Sequence, residues 1–264
     1  MPHNPSEPEL SVCVLVSIGQ HPSSERARRA PTDARAVEMG LELAPAELQV
    51  LHVGDPYDQA LRSYAGMGLD SLRVIEQGEY DDVLNSLLHY FSSDLPDIIF
   101  TGVRAERGES SGMLPYLLGE CLGCTVVSGI AQVLSIENGF AEVLQAQPRG
   151  QRRKLKVPLP FVASVDMAAA APRQSAFGSG SRAKIDIEQI NAALVDSEAL
   201  DWQWSSARNR PKRLKVVKAK SAADRLKAAT QKSASSGGQV LRDLPAGEMA
   251  QAVFDLLLEE GVVR

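Results

Sequence analysis

The residues best suited to chemistry lie in one loop, 103–112, between a short apolar run and an amphipathic stretch. The run Asp97-Ile-Ile-Phe-Thr-Gly102 predicts a buried strand, and residues 112–122 have the periodicity of a helix. In an open α/β sheet, loop amides and a helix N-terminus at the carboxyl end of a strand face anions. The glycine- and serine-bearing loop therefore indicates a phosphate or nucleotide site, although an ordinary strand-to-helix turn carries the same residue types.

The cysteine and histidine residues of the sequence do not form a pattern that favours catalysis. Cys121 and Cys124 form a C-x-x-C at the end of the predicted helix, where the helix dipole disfavours a thiolate. Two small residues packing a turn are a simpler interpretation than a redox or metal pair. The four histidines lack metal-ligand spacing, and His52 is expected to be a hydrogen-bonded core residue. We therefore expect no metal site and no acid–base or nucleophilic catalysis, so the chain is predicted not to be an enzyme.

Composition and charge argue against nucleic acid as a partner and against insertion into a membrane. The chain has 264 residues, a formal net charge of −5 and 5% aromatic residues, which disfavours binding of nucleic acid. Its apolar runs are all shorter than the roughly 20 residues that span a bilayer, so no membrane insertion is expected. Residues 1–10 are polar and proline-rich, unlike a signal or transit peptide. A cytoplasmic location is the simplest expectation.

Four strand-to-helix units in succession predict the scaffold. The predicted strands cover 11–16, 47–53, 71–75 and 96–100, and the predicted helices cover 33–43, 57–67, 81–91 and 112–122. Thr32 or Asp33 is the expected cap of the first helix, and Gly68 is expected to close the second. The fold class that follows is α/β, with a doubly wound, mainly parallel sheet.

Turn signals at Asn138-Gly139 and Arg149-Gly150 add an antiparallel ribbon, and 161–165 reads as one more buried strand. We divide the chain into a disordered tail over 1–10, an α/β nucleotide-binding-type core domain over 11–186, and an extended arm over 187–264. The arm ends in an amphipathic helix near 248–260 and is predicted to wrap around a partner subunit. A disordered linker with one terminal helix packed on the core is the alternative.

Two features of the predicted arm have more than one interpretation. Trp202 and Trp204 would share one side of an extended segment, anchored either on a partner or on this chain's own core. The basic run 208–215 suits a solvated arm, or one steered to an acidic partner, better than it suits nucleic acid.

Several short motifs occur in an order and spacing that resemble one protein family. These motifs are Ala36-Val-Glu38, the segment 54–70, Leu159-Pro160, Val165-Asp166 and Pro172-Arg173. From about residue 10 to 190 they resemble the β subunit of electron transfer flavoproteins, within the adenine nucleotide alpha hydrolase-like α/β superfamily. The resemblance implies a heterodimer whose α subunit holds most of the FAD, with this chain forming a wall near the isoalloxazine and a site for AMP.

The same resemblance implies a relay of electrons. A flavin dehydrogenase would donate electrons to FAD, and a membrane quinone oxidoreductase would accept them. A stand-alone adenine-nucleotide-binding or sensor module, and an electron-bifurcating subunit with a second FAD, remain alternatives. Fold alone does not decide between them.

Site residues follow from the family's nucleotide site, which lies at the ends of the first two strands and in the loop before the fourth helix. The implied cofactor-binding residues are Leu15, Val16, Ser17, Val53, Gly54, Gly102, Val103, Arg104, Ala105, Glu109, Ser110, Ser111 and Gly112. Phe177, on a Gly/Ser segment, has the position of the family's apolar side chain that docks the partner dehydrogenase. Its alternative is a phenylalanine folded back onto the core.

Three departures from the family pattern change these expectations. The 103–112 loop is slightly shorter and lacks the family's Gln-Thr-Gly, so AMP, a second FAD or nothing could fill the nucleotide site. The segment 17–32 lacks the family's tyrosine near the flavin, and Gln20 and His21 are the nearest polar replacements. Ala170-Ala171 stands where the family has Asn-Glu, so the role of that carboxylate is absent.

Overall fold

A computed structural model of the chain describes residues 10–190, 193–203, 205, 221–223, 242 and 244–259. Contacts divide the chain into two compact units, 1–204 and 205–264. The first unit contains a nine-stranded sheet, a two-stranded sheet and the helices around them, and the described part of the second contains one long helix. Trp204 and the basic run 208–215 lie outside the described residues.

The elements are numbered along the chain. The strands are β1 (Val12–Leu15), β2 (Ile18–Gln20), β3 (Ala27–Arg29), β4 (Leu48–Gly54), β5 (Ser71–Glu76), β6 (Ile98–Gly102), β7 (Thr125–Glu137), β8 (Phe140–Ala146), β9 (Arg152–Pro158), β10 (Phe161–Val165) and β11 (Lys184–Gln189). The helices are α1 (Pro31–Leu43), α2 (Ala60–Ala65), α3 (Val83–Phe91), α4 (Leu114–Leu122), α5 (Phe177–Arg182), α6 (Ser197–Leu200) and α7 (Ala246–Glu259).

The large sheet has the order β11-β5-β4-β1-β6-β10-β7-β8-β9. Neighbouring strands from β11 to β7 are parallel, and β8 and β9 continue the sheet as an antiparallel ribbon. The predicted fold class, a mainly parallel α/β sheet with an antiparallel ribbon and a C-terminal helix, is confirmed. β2 and β3 form a separate antiparallel hairpin.

Apolar side chains from alternate residues of the central strands pack into two separate hydrophobic cores. In β1, Val12 and Val14 join the larger apolar cluster, whereas Cys13 and Leu15 join the smaller one. Strands covered on both faces need continuous apolar runs, and that pattern made β1, β6 and β10 predictable. Burial raises the pKa of the Cys13 thiol to about 12, so this cysteine is an unreactive core residue.

The ribbon follows the two predicted turns. Asn138 and Gly139 have φ values of 52° and 76°, the left-handed pair that a two-residue hairpin requires. Arg149 and Gly150, in a short 3-10 turn between β8 and β9, also have positive φ. β9 is an edge strand of the sheet, and its exposed cations are Arg152, Arg153, Lys154 and Lys156.

Local signals misplaced the ends of several helices. The first residue of α1 is Pro31, preceded by Ala30 without a side-chain cap, so the prediction of Thr32 or Asp33 as the cap was wrong. A proline at the first helical position is pre-organised for a helix, which explains the earlier start. α2 ends before Gly66 rather than at Gly68, and α4 begins at Leu114 rather than at 112.

The hairpin of β2 and β3 and the edge strand β11 were not predicted. β11 pairs in parallel with β5 over six residues, from Lys184–Ser71 to Gln189–Glu76. Residues 187–189 of the predicted arm therefore belong to the sheet, and wrapping of a partner by the rest of the arm stays a prediction. In the second unit α7 is a 14-residue helix. Within the described ranges, no helix is both long and apolar enough to cross a bilayer.

Candidate functional site

A cavity of about 720 Å³ lies at the carboxyl ends of β1, β4 and β6, with the 103–112 loop forming part of its wall. This first cavity is lined by all the predicted cofactor-binding residues except Gly54 and Val103. Gly54, at the end of β4, has a φ of 144°, and a Cβ there would lie 3.0 Å from the His52 ring. Val103 lines a second cavity instead. The fold thus brings together residues that are far apart in sequence.

The strand ends give the first cavity an apolar wall. Leu15, Leu51 and Val53 line it from β1 and β4, and Leu87 lines it from α3. The Nδ1 atom of His52 is 2.8 Å from the Val16 carbonyl oxygen, so a neutral imidazole donates this bond. Burial lowers the pKa of His52, and its prediction as a hydrogen-bonded core residue is confirmed. Such a wall can accept the face of a flat base.

The 103–112 loop turns sharply three times. Gly108, Ser110 and Gly112 have φ values of 70°, 55° and 76°, all in the left-handed region. At Gly112 a Cβ would lie 2.8 Å from the Val103 carbonyl oxygen, so a larger residue would not fit this turn. The Ser110 hydroxyl donates to the Ala105 carbonyl at 2.6 Å, which ties the two halves of the loop together.

Two cations of this loop have no partner among the residues that the structure describes. Arg104 and Arg107 both line the first cavity, and neither forms a hydrogen bond or ion pair with any residue that the structure describes. The nearby Glu106 is occupied instead, since its carboxylate accepts from Arg28 at 2.9 Å and from the Gln20 amide at 2.8 Å. The loop therefore offers unused positive charge, as a site for a phosphate group requires.

A buried carboxyl group, that of Asp33, lies against Gly102, the residue that precedes the 103–112 loop. Asp33, only 3% exposed, accepts hydrogen bonds from the Ser17 amide at 2.7 Å and the Ser17 hydroxyl at 2.6 Å. Gly102 leaves room for it, because a Cβ at that position would lie 1.9 Å from Asp33 Oδ1. Burial raises the pKa of Asp33 to about 6, although the bonds from Ser17 act in the opposite direction.

Tyr64 fixes the same junction from the other side. Its buried hydroxyl accepts from the Ala30 amide at 2.7 Å and donates to the Ser17 carbonyl at 2.8 Å. The end of β1 is thus hydrogen-bonded to the start of α1 through one tyrosine and one aspartate.

We expect Tyr64→Phe to lower the free energy of unfolding by about 2 kcal/mol, because it leaves a buried amide and a carbonyl without partners. Urea denaturation of the purified protein measures this loss. Tyr57→Phe removes the same hydroxyl at a side chain that is 74% exposed and is expected to change stability by less than about 0.5 kcal/mol. Equal losses in the two variants would contradict the prediction.

A segment close to the end of the first unit also lines the first cavity. The Asp82 amide donates to the Leu194 carbonyl at 2.8 Å, and the Asp196 amide donates to the Tyr80 carbonyl at 2.7 Å. Leu194, Asp196 and Trp202 thereby reach the cavity wall. Sequence reasoning missed this part of the site. The Asp196 carboxylate caps α6 by accepting from the amides of Glu198 and Ala199, and this capping pattern was the available signal.

A second cavity, of about 880 Å³, lies on the other side of the loop. Gln20 and His21 line it, as do Met167 and Asp166, which directly follow β10. The two polar residues that the sequence offered as replacements for the family's tyrosine are thus together at one cavity.

Phe177 projects from the protein surface. Its side chain is 89% exposed at the first residue of α5, which excludes a phenylalanine folded onto the core. α5 is held against α2, where the Ala176 amide donates to the Gly66 carbonyl at 2.8 Å and Arg62 donates to the Gly180 carbonyl at 3.3 Å. The segment is therefore an anchored short helix rather than a plain loop. Docking of a dehydrogenase stays a prediction.

The Glu38–Arg173 ion pair fixes the chain just before α5. Arg173 donates to Glu38 through its amide at 2.8 Å and through Nε and a terminal guanidinium nitrogen at 2.9–3.0 Å. These bonds lower the pKa of the Glu38 carboxyl group. The pair therefore attaches the chain shortly before Phe177 to α1.

The C-x-x-C forms no disulfide. Cys121 is exposed and Cys124 is half-buried, and Gly123 between them ends α4 with a φ of 67°. Burial raises the pKa of Cys124, which disfavours its thiolate. Across the described residues, no three His, Cys, Asp or Glu side chains are grouped so that they could hold a metal ion. The two cysteines therefore lie at a helix-to-strand turn, as predicted.

Comparison with known proteins adds one relative of full length. None of the available protein-family profiles matches the sequence. A curated protein from Chromohalobacter salexigens, "Electron transfer flavoprotein subunit beta", is 50% identical over 266 residues. The alignment covers 100% of this chain and 99% of that relative.

Proposed function

Because this chain belongs to the family of electron transfer flavoprotein β subunits, we propose that it pairs with an α subunit and relays electrons through FAD. Flavin dehydrogenases are the proposed donors and a membrane quinone oxidoreductase is the proposed acceptor. The observation that carries the proposal is 50% identity along the whole chain, an alignment that includes the 103–112 loop, the second cavity and α5. The chain itself is proposed to position and tune the cofactor rather than to perform acid–base chemistry.

The second cavity is the proposed wall for the flavin. Its Gln20 and His21 side chains are the polar groups that could hydrogen-bond to the flavin ring, and Met167 adds an apolar surface. Arg28 is held in place by its ion pair with Glu106. Polar donors, an apolar contact and a fixed cation suit the edge of an isoalloxazine, while the rest of the FAD is proposed to lie on the α subunit. When bound, FAD supplies the redox chemistry.

The first cavity is the proposed site for AMP. Its volume of about 720 Å³ is within the range of roughly 300–1,000 Å³ that is usual for small-molecule sites. The apolar wall of Leu15, Leu51 and Val53 suits adenine, and the loop with the cations Arg104 and Arg107 suits a phosphate. The donor set therefore fits a nucleotide whose phosphate lies at the loop and whose base lies at the strand ends.

We further propose that Phe177 inserts into the donor dehydrogenase, supported by its 89% exposure on an anchored helix. A cytoplasmic location is proposed as well. The three cysteines of the chain are all free, as is usual in a reducing compartment.

Co-expression with an α-type subunit tests the proposal. The complex is purified, and its bound cofactors are identified by absorbance and mass spectrometry. We expect one FAD and one AMP per heterodimer. One FAD without AMP would retain the relay and reject the nucleotide site, and two FADs would indicate electron bifurcation. A chain that forms no flavin-containing complex and instead binds adenine nucleotides alone would be a stand-alone nucleotide module, which would contradict the proposal.

A further inference from the structure

The 103–112 loop is a partition between the two cavities. Arg104, Ala105 and Ser110 line both of them, whereas Arg107 and Ser111 line the first cavity and not the second. A group bound on either side would therefore meet the same short piece of backbone and one of the same side chains.

This partition is held by hydrogen bonds and carries an exposed cation, Arg104. On the side of the second cavity, Glu106 accepts hydrogen bonds from Arg28 and from the Gln20 amide. Across the loop, the Ser110 hydroxyl is bonded to the Ala105 carbonyl. Arg104, which directly precedes Ala105, is exposed and has no hydrogen-bond or ion-pair partner in the described part of the chain. Its long side chain can thus form an ion pair with an anion in either cavity.

We propose that Arg104 couples the two cavities, interacting with the nucleotide phosphate in the first or with the flavin in the second. The inference rests on the proposed function, because it requires both occupants. Reduction adds negative charge to the flavin and attracts the guanidinium, which weakens its hold on the phosphate. Since coupling between two binding equilibria is reciprocal, AMP would in turn make the flavin harder to reduce.

Calorimetry on the whole heterodimer tests this coupling. AMP is removed from the complex and then titrated back into the oxidised complex and, anaerobically, into the dithionite-reduced complex. For the wild type we expect AMP to bind about tenfold more weakly to the reduced form. In Arg104→Met the two Kd values are expected to agree within about twofold, and Arg104→Lys, which keeps the charge, is expected to retain most of the difference.

Arg107→Met is the matched control. It removes the same charge from the same loop, but Arg107 lines only the first cavity. We expect weaker AMP binding in both redox states and an unchanged ratio between them. A wild-type ratio near one, or a tenfold ratio that survives in Arg104→Met, would overturn the inference while leaving the proposed function intact. A purified complex that lacks flavin, or whose oxidised form binds no AMP, would overturn the corresponding part of the proposed function and the inference with it.

Discussion

Relative to the wild type, Asp33→Asn is expected to gain stability as the pH rises. We expect its free energy of unfolding, minus that of the wild type, to be about 2 kcal/mol higher at pH 8 than at pH 4. Burial raises the pKa of this carboxyl group from 3.8 to about 6 in the folded protein. The unfolded chain therefore releases the proton at lower pH than the folded one. The stability that protonated Asp33 contributes is fully present below pH 3.8 and is lost as the pH rises through about 6. Asparagine does not ionise and can still accept the bonds from Ser17.

Urea denaturation of both proteins at several values between pH 4 and pH 8 measures this difference. Subtracting the two unfolding free energies at each pH cancels the titration of all other groups. Asp94→Asn, which removes the same charge from an exposed position, provides the reference curve. Parallel curves for the wild type and Asp33→Asn would mean that Asp33 ionises as easily in the folded chain as in the unfolded one.

Phe177→Ala is expected to weaken binding of the donor dehydrogenase by about 30-fold or more. Truncating an aromatic side chain that is a hot spot of an interface costs about 2 kcal/mol or more, which corresponds to that factor. The expected effect is a rise in the KM of the dehydrogenase for the purified heterodimer, with the maximal rate less changed. Because the side chain is 89% exposed, stability is expected to change by less than about 0.5 kcal/mol.

Two further variants make this test specific. Phe177→Leu keeps an apolar side chain and is expected to retain most of the affinity. Tyr57→Ala truncates another exposed aromatic side chain, in the turn before α2, and is expected to leave KM unchanged. An unaltered KM in Phe177→Ala would reject the docking role, and a similar rise in Tyr57→Ala would show that the effect is not specific to α5.

The parts of the fold that were predicted share a strong local pattern. Continuous apolar runs identified the central strands, and Asn138-Gly139 identified a hairpin turn, because burial and left-handed backbone impose these residue types directly. The β2–β3 hairpin joins runs of three residues that include Arg28, Arg29 and Gln20, and it buries too little to show a pattern. β11 does alternate, with Ile185 and Ile187 on one face, and this period of two was the signal that was overlooked.

Contacts between distant parts of the chain limited what could be predicted of the site. The residue type of Asp33 led to its prediction as a helix cap, and only the folded chain shows that its carboxylate is bonded to Ser17. The same holds for Leu194 and Asp196, which reach the first cavity through backbone bonds to the segment before α3. Such partners follow from topology and have no signature in the local sequence. By contrast, the 103–112 loop was recognisable, since Gly108 and Gly112 have the positive φ values that its own turns need.

The place of β10 in the sheet has a consequence for the order of assembly during synthesis. β10 lies between β6 and β7, although it follows both of them along the chain. β7, β8 and β9 can form their hairpins from neighbouring sequence, but they have no strand to join until Phe161–Val165 has left the ribosome. Until then the growing chain holds two separate pieces of sheet. A ribosome that stalls before residue 165 would therefore display a half-sheet with β6 as an open edge that carries Ile98, Ile99 and Phe100, the kind of surface that chaperones bind.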